Sequence, residues 1–278
     1  MTFNINSFAA LWIFFSFGSL CVAAPKLCES EPDAKSQRLD NFPKKREVIA
    51  QNALMSVFSA IAYEDSGLGY YQLPEGWQRV RSIPDSSGLF VATFENKQNK
   101  QLVIAYRGTE ATSVMDWIQN LSPLVKIQSK PALKITEAEI ADHKDWGITL
   151  TGHSLGGGLA LELSHKLNGV TAVAFNPSPR IGLKRSGYGN RRIVFREKHE
   201  PLAVLRGNPS ARGTWSLTYE VLVDFTSGFF GTRLVTQHSM DSMAMNLLAL
   251  SSVWSKDAEL LRRSICEAQP GGAGDAAR

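Results

Sequence analysis

A strong excess of one charge is missing from this sequence. Its 278 residues carry 30 Lys and Arg against 26 Asp and Glu, a formal net charge of +4. This excess is too small to indicate a nucleic-acid partner. Internal repeats are absent as well, and 44% of the residues are hydrophobic, which is typical of a globular chain with one large core. We therefore expect a single folded domain.

Long apolar runs are also scarce, and the one that exists opens the chain. Residues 1–24 contain no charged side chain and end in the small residues Ala23 and Ala24, which is typical of a secretory signal peptide. The 17 residues from Phe8 to Ala24 are at the short limit for a membrane span, so a membrane anchor is the alternative. We expect a signal peptide over 1–24 and a secreted or periplasmic protein.

Cysteine is rare, with three in the chain. Cys21 lies in the apolar run and would leave with a signal peptide. Cys28 and Cys266 would then remain near the two ends of the mature chain, where a disulfide between them fits an oxidising compartment. Two unrelated free thiols are the alternative.

Strand-like and helix-like stretches alternate along the rest of the chain. This alternation predicts an α/β protein whose mostly parallel central sheet carries helices on both faces. The predicted elements are a helix over 46–64, paired strands over 89–96 and 101–108, a short helix over 114–121, a polar helix over 131–146, a strand over 148–152, a helix over 155–167, strands over 170–175 and 191–195, and a helix late in 234–254. A polar linker is expected over 25–44, the domain over 45–266 and a flexible tail over 267–278.

One stretch, ITLTGHSLGGGLALEL over 148–163, carries the clearest chemical signal. A β-branched apolar run changes there into helix-like sequence, and Ser154 sits between Gly152 and Gly156 in the G-x-S-x-G pattern of a nucleophile elbow. Glycines remove the Cβ atoms that would clash in so tight a turn, and a helix N-terminus stabilises negative charge beside the serine. We predict Ser154 as a nucleophile; an ordinary glycine-containing turn is the alternative.

A nucleophilic serine needs a base, and with this motif the chain order is serine, acid, histidine. The chain has histidines at positions 143, 153, 165, 199 and 238. His238 comes late, just before an apolar helix, and is the predicted base. We expect His153 and His165 to be packing or surface residues and His143 to lie in the polar helix.

The acid must orient the histidine and stabilise the imidazolium. It is expected after the strand over 191–195, where Glu197 and Glu200 both follow. Glu200 precedes Pro201, which would fix a turn past the strand end, and is the predicted acid. Glu197 is the first alternative, followed by Asp224 and Asp241.

An oxyanion hole needs two N–H donors. Leu155 directly follows the serine and supplies one. The strand QLVIAYRG ends in Gly108, which lets the backbone curl toward the site, so the N–H of Thr109 is the second candidate. An ordinary turn after a strand is the alternative interpretation of this segment.

These motifs together resemble the class 3 (fungal-type) lipase family of α/β-hydrolases. The stretches that match its RG[TS] strand end, its DW helix, its TGHSLGGALA elbow and its FG-x-PR-x-G strand are VIAYRGTEATSVMDWIQNL, ITLTGHSLGGGLALEL and FNPSPRIG, within a resemblance over about 45–255. The resemblance implies an α/β-hydrolase fold and an ester hydrolase of lipids or other carboxylic esters, with no cofactor and no metal ion. It also implies the roles of Ser154, His238, Thr109 and Leu155.

Two regions depart from the family pattern. The family's acid is Asp in a D-x-V-P setting, whereas this chain offers EKHEPL over 197–202. The interval from Asn120 to Ile148 is short for the family, so we expect a reduced lid and a weaker preference for long triglycerides.

Substrate class has one indication in the sequence. Between Arg180 and Arg212 there are nine Lys or Arg against two Glu, and such a patch attracts an anionic membrane surface. This would suit a phospholipase A, and a solvated face balanced by acids elsewhere is the alternative. We expect a lipid esterase of the triacylglycerol lipase or phospholipase A type that acts through an acyl-enzyme. An acyltransferase with the same triad and a non-catalytic lipid-binding or partner-binding protein are the alternatives.

Overall fold

A computed structural model of the chain describes residue 28 and residues 43–64, 71–108, 114–178, 189–197, 219–223 and 239–268. Its elements in chain order are α1 (Pro43–Ile61), β1 (Gln78–Pro84), β2 (Phe90–Asn96), β3 (Gln101–Tyr106), α2 (Val114–Asp142), β4 (Gly147–His153), α3 (Leu155–Lys166), β5 (Val170–Phe175), β6 (Arg192–Glu197), β7 (Tyr219–Val223), α4 (Met240–Ser252) and α5 (Lys256–Ala268). The alternation of strands with helices confirms the expected α/β class.

The seven strands form one sheet in their chain order, from β1 to β7. Strand β2 runs antiparallel to β1 and β3, and this confirms the predicted hairpin, in which Val91 pairs with Tyr106 and Asn96 with Gln101. Strands β3 to β7 are parallel. Their carboxyl ends therefore meet at one edge of the sheet, called the carboxyl edge below, which is where open α/β sheets bind ligands.

Helices cover both faces of the sheet, and alternate strand residues point to different helices. On one face Phe90, Ala92 and Phe94 of β2 join a core built with α1, α4 and α5. On the other face Leu89 and Val91 join a core that includes residues of α2 and α3. A sheet buried on both faces needs apolar side chains at nearly every strand position, which is why the central strands read as continuous apolar runs.

Helix α3 lies unusually close to the sheet because glycines face each other across the contact. A Cβ atom on Gly152, in β4, would come 2.6 Å from the carbonyl carbon of Gly156 in α3, and one on Gly156 would overlap the carbonyl oxygen of Tyr106 in β3. These neighbours are backbone atoms, so no side-chain rotation relieves the contact. The glycines thus set the distance from α3 to β3 and β4.

The sequence pattern was wrong about helix α2. Two helices were expected, over 114–121 and 131–146, whereas one helix runs from Val114 to Asp142 through two prolines. A proline inside a helix removes one N–H hydrogen bond, and its ring clashes with a carbonyl group of the preceding turn, which kinks or breaks the helix at a cost of about 3 kcal/mol or more. Here the packing of α2 offsets that cost, since Ala132 is fully buried in the core and the Ser129 hydroxyl donates a hydrogen bond to the Glu162 carboxylate of α3.

Strands β1 and β7 and helix α5 were not expected from the sequence. The two strands are the edge strands of the sheet, and β1 is exposed or half-buried along its whole length, so it lacks the apolar run that marks a buried strand. Helix α5 buries only Ala258, Leu261 and Ile265. Its narrow apolar stripe needs the rest of the fold before it is recognisable as a packing face.

A disulfide joins Cys28 to Cys266 in α5, with their Cα atoms 5.8 Å apart. The Arg262 guanidinium donates a further hydrogen bond to the Cys28 carbonyl oxygen at 3.3 Å. Of the two interpretations of these cysteines, the bonded pair is the one confirmed. The bond ties the segment that precedes α1 to the last helix.

The predicted signal peptide over 1–24 lies outside the described residues. Among the helices that are described, none combines the length and the apolar character that a membrane-spanning helix requires.

The disulfide should contribute measurably to stability, because it closes nearly the whole chain into a loop. We expect the Cys28→Ser/Cys266→Ser double variant to lose about 2–5 kcal/mol of unfolding free energy, or roughly 5–15 °C in melting temperature. Thermal unfolding with and without dithiothreitol measures this loss. Reductant should lower the melting temperature of the wild type alone, and a wild type insensitive to reductant would contradict the bond.

The glycine contact between β4 and α3 can be tested within one strand. Gly152→Ala should lower the unfolding free energy by about 1–3 kcal/mol, because the added methyl group overpacks the α3 contact. Gly147→Ala, at the other end of β4, is the control: its methyl group would meet only the Lys100 carbonyl oxygen at 3.9 Å and Gln101 Cγ at 4.0 Å. Urea unfolding should show a change within about 0.5 kcal/mol for this control. Equal losses in the two variants would argue against the close contact.

Candidate active site

Ser154 is the single residue between strand β4 and helix α3. Its backbone has φ 56° and ψ −121°, a conformation that side-chain-bearing residues rarely adopt and that costs about 1–3 kcal/mol. Strain of this kind persists only where the surrounding structure imposes it, and it is concentrated at functional sites. The geometry is the sharp strand-to-helix turn that the G-x-S-x-G pattern predicts.

Three backbone hydrogen bonds hold Ser154 in this strained conformation. Its N–H donates to the Phe175 carbonyl oxygen at the end of β5, at 3.0 Å. Its carbonyl oxygen accepts from the N–H groups of Gly158 at 3.0 Å and Ser178 at 2.9 Å. The serine backbone is therefore fixed by the neighbouring strand and by the first turn of α3.

The Ser154 side chain contrasts with its backbone. The residue is only 2% exposed, and within the described part of the chain its Oγ has no hydrogen-bond partner. Buried hydroxyls nearly always have a partner, and leaving one unpaired costs about 1–3 kcal/mol. A buried hydroxyl on a rigid backbone, open to a further hydrogen bond, suits a nucleophile that is activated by a base.

The end of strand β3 lies against the serine. Gly108 is so close that a Cβ atom built on it would come 3.3 Å from Ser154 Cβ and 2.8 Å from the His153 carbonyl oxygen. The N–H of Gly108 donates to the Tyr63 hydroxyl at 3.1 Å. Thr109, the predicted oxyanion donor, follows Gly108 directly in the sequence but lies outside the described residues.

Leu155, the other predicted oxyanion donor, is the first residue of α3 and is fully buried. The N–H groups in the first turn of a helix have no intrahelical acceptor, and the helix dipole makes this end positive. An oxygen that becomes negative beside Ser154 would therefore meet a favourable potential.

On the acid, the structure corrects one expectation. Glu197 is the last residue of β6 rather than a residue beyond it, and it is only 4% exposed. Its N–H donates at 2.9 Å to Oδ1 of Asn176, whose φ of 40° is one that Asn tolerates. Strand alternation puts Glu197 on the same face as Ile193 and Phe195, which pack with the core of α1, α4 and α5. Glu200 lies outside the described residues.

His238 also lies outside the described residues, immediately before Ser239, the N-cap of helix α4. The Ser239 hydroxyl accepts from the Ser242 N–H at 3.3 Å, and Asp241 in the first turn accepts from the Tyr71 hydroxyl at 3.0 Å. The chain that carries the predicted base thus enters α4 through a well-capped turn.

A carboxyl pair lies near this turn. Burial raises the pKa of Glu64 to about 7, a backbone hydrogen bond from Tyr71 opposes the rise, and the charge of Asp241 adds to it. Arg79 acts in the opposite direction. The Glu64 carboxyl group, near the start of α4, therefore gains or loses its proton close to neutral pH.

The remaining described histidines have other surroundings. His153 is buried, with Nδ1 3.2 Å from the Tyr63 hydroxyl, and His165 is buried, where burial and the charge of Arg192 lower its pKa. Of the two expected locations, packed or at the surface, both histidines have the packed one. His143 was expected in the polar helix, but it directly follows the end of α2 at Asp142, and its Nε2 lies 2.8 Å from a carboxylate oxygen of Glu95. Burial lowers the pKa of His143, but the hydrogen bonds and charges of Glu95 and Glu139 outweigh burial and raise it.

The described structure brings Ser154 and Leu155 together with Gly108 at the carboxyl edge. Thr109, Glu200 and His238 remain predictions. Sequence reasoning missed Tyr63, because it lies 90 positions before His153 along the chain and no local pattern connects the two.

Residues 55–246 match the model of a phospholipase-like family, the Tle-like phospholipase domain. No curated protein matches the sequence. Among solved structures, a lipase from Rhizopus microsporus var. chinensis matches with 15% identity and a TM-score of 0.45, covering 59% of this chain and 70% of that one. A triacylglycerol lipase from Penicillium expansum matches with 14% identity and a TM-score of 0.48, over 64% and 80%. The triacylglyceride lipase of Rhizomucor miehei matches with 15% identity and a TM-score of 0.47, over 65% and 81%.

Identities and TM-scores this low carry no information on substrate. The family match is different, since it spans more than two thirds of the chain and includes the elbow and His238. This match confirms the expected relationship to a lipase-type family. The chain belongs to the Tle-like phospholipase family and carries a lipid ester hydrolase domain of the α/β-hydrolase fold.

Proposed function

We propose that this protein hydrolyses carboxylic esters of lipids through a covalent acyl-enzyme on Ser154. The observation that carries the proposal is the elbow itself: a backbone held at φ 56° and a buried Oγ without a partner among the described residues. Within the described part of the fold the Ser154 hydroxyl makes no hydrogen bond that would give it a structural role.

The proposed first half-reaction forms the acyl-enzyme. His238 takes the proton of Ser154 Oγ as the oxygen attacks the ester carbonyl carbon, and the carbonyl oxygen becomes an oxyanion. The N–H groups of Leu155 and Thr109 donate to that oxyanion, each contributing about 3–4 kcal/mol of transition-state stabilisation. The intermediate collapses, the bond to the alcohol oxygen breaks, and His238 returns the proton to the leaving alcohol.

The second half-reaction releases the fatty acid. His238 removes a proton from water, whose oxygen attacks the acyl carbon, and the Ser154 Oγ–acyl bond then breaks as Oγ regains the proton. Glu200 accepts a hydrogen bond from the imidazole and stabilises its positive charge in both steps. Glu197 is the alternative acid. It is buried and lies at the end of β6, and both observations support this alternative.

Among lipid esters we propose phospholipids as the substrates. The description of the family as phospholipase-like supports this choice, and so does the excess of Lys and Arg between Arg180 and Arg212, which would attract an anionic membrane surface. Helix α2 occupies most of the interval from Asn120 to Ile148, which supports the reduced lid.

We also propose that the protein is exported, since the Cys28–Cys266 disulfide fits an oxidising compartment.

Ser154→Ala tests the nucleophile. Fatty-acid release from phospholipid vesicles, triglyceride emulsions and a short nitrophenyl ester should fall by about 10⁴–10⁶-fold, because the covalent step is lost. Ser251→Ala is the control: Ser251 is also buried with an Oγ that has no partner in the described residues, but it lies near the end of α4. The control should keep wild-type rates. Activity that survives Ser154→Ala would exclude the mechanism, and preferred hydrolysis of triglyceride would exclude the substrate class.

Paired glutamine variants decide between the two acids. Glu200→Gln should lower kcat on the nitrophenyl ester by about 10³–10⁴-fold, because the imidazolium loses its counter-charge. Glu197→Gln should lower kcat by less than about tenfold, with the melting temperature reporting any loss of fold. The reverse pattern would assign the role to Glu197, and equal, mild losses would refute both assignments.

A further inference from the structure

One hydroxyl group contacts both strand ends that flank the candidate nucleophile. Tyr63 lies just past the end of α1, and its hydroxyl oxygen accepts a hydrogen bond from the Gly108 N–H at 3.1 Å. The same hydroxyl bonds Nδ1 of His153 at 3.2 Å. Gly108 directly precedes Thr109 and His153 directly precedes Ser154, so the tyrosine links the chain at Gly108, just after β3, to the elbow after β4.

We propose that Tyr63 is a positioning residue that holds the backbone of Gly108 in place and so orients the next amide, that of Thr109, for oxyanion binding. The inference rests on the proposed hydrolase function, because that function assigns the Thr109 N–H to the oxyanion hole. Tyr63 would act through the backbone of Gly108, not by contact with the substrate.

The hydrogen-bonding capacity of the three groups fits this role. The Gly108 amide can only donate, so the hydroxyl oxygen is its acceptor, and in the His153 tautomer that carries its proton on Nε2 the hydroxyl donates to Nδ1. In that tautomer the three groups form a chain with one direction, amide to hydroxyl to imidazole. Phenylalanine could neither accept nor donate in this position. Gly108 is buried, and a buried amide without an acceptor is unstable enough to shift the backbone that carries it.

Space around Gly108 is limited on the same two sides. A Cβ atom on Gly108 would come 2.5 Å from the Tyr63 hydroxyl oxygen and 2.8 Å from the His153 carbonyl oxygen. Gly108 is therefore held between the tyrosine on one side and the elbow on the other. The hydrogen bond sets its distance from Tyr63, and the absent side chain lets it approach Ser154.

The tyrosine itself is firmly supported. The Ser59 hydroxyl in α1 bonds the Thr151 hydroxyl in β4 at 2.9 Å, which fixes the last turn of α1 on the strand that leads to Ser154. The N–H of Tyr63 donates to the Ala60 carbonyl oxygen at 2.9 Å, and its ring meets the His153 ring edge-on with centroids 6.1 Å apart. A rigid support of this kind is what a preorganised oxyanion hole requires.

Loss of the hydroxyl should affect the transition state more than substrate binding. A less firmly held Gly108 would orient the Thr109 N–H less precisely, and that N–H is needed only once the oxyanion forms. Complete loss of an oxyanion donor costs about 10²–10³-fold in kcat. A donor that is misplaced but present should cost less, so we expect kcat to fall by about 10–100-fold with KM within about twofold of the wild type.

Tyr63→Phe tests the proposal, with Tyr106→Phe as the matched control. Tyr106 is the last residue of β3, and its substitution removes a buried hydroxyl contact, to Thr136 at 2.6 Å, whereas Tyr63→Phe removes the contacts to Gly108 and His153. The Tyr106 side chain packs in the core on the opposite face of the sheet. The readouts are kcat and KM on a short nitrophenyl ester, the melting temperature, and the deuterium exchange rate of the Gly108 amide. We expect only Tyr63→Phe to show the fall in kcat and at least about tenfold faster exchange at Gly108.

Each other result overturns the positioning role. An unchanged kcat, a fall in melting temperature with kcat preserved, or equal falls of kcat in the two variants would show that the hydroxyl contributes only packing. The Ser154→Ala variant separates this failure from failure of the proposed function. Full activity in Ser154→Ala would exclude the hydrolase mechanism. The hydrogen bond from Gly108 to Tyr63 would then be tested by deuterium exchange alone. An unchanged exchange rate of the Gly108 amide in Tyr63→Phe would show that this bond does not hold Gly108 in place.

Discussion

The distance between helix α3 and strands β3 and β4 is set by contact between main-chain atoms. Gly152 and Gly156 leave no side chain between them, and a methyl group on either would press on the backbone of the other element. Because α3 begins directly after Ser154, this contact also decides how sharply the chain must turn at the serine. The positive φ of Ser154, its burial and its closeness to Gly108 follow from a helix that could not lie so near the sheet with any other residues.

The strained backbone of Ser154 is stabilised by elements that take no part in the proposed reaction. Strand β5 supplies the acceptor at Phe175, and the segment after it supplies the N–H of Ser178. Helix α1 supplies Tyr63 from the other face of the sheet. Elements on three sides thus act on one turn, and none of them needs to contact a substrate. The rigid part of the candidate site is the part built on strand ends and helix ends.

Sequence reasoning worked where the physical cause is local. The glycines around Ser154 identified the elbow, and the apolar runs identified the hairpin and the central strands. It failed where a contact made elsewhere decides the outcome: packing on α3 and the core keeps α2 continuous through its prolines, and Glu197 belongs to a strand because β7 pairs with it. Tyr63 could not be found, since its partners are brought to it only by the finished fold. Thr109, Glu200 and His238 stay predictions.

The bond between Cys28 and Cys266 has a topological consequence. It joins the segment before α1 to α5, so all seven strands and the elements between them belong to one covalent ring. A protease that cuts a single peptide bond anywhere within this ring releases no fragment, and both new chain ends stay attached to the same molecule. Re-association of the two sides of the cut is then intramolecular and independent of protein concentration. As long as the disulfide is oxidised, separation of the two pieces requires a second cut, and a reductant is the other way to release them.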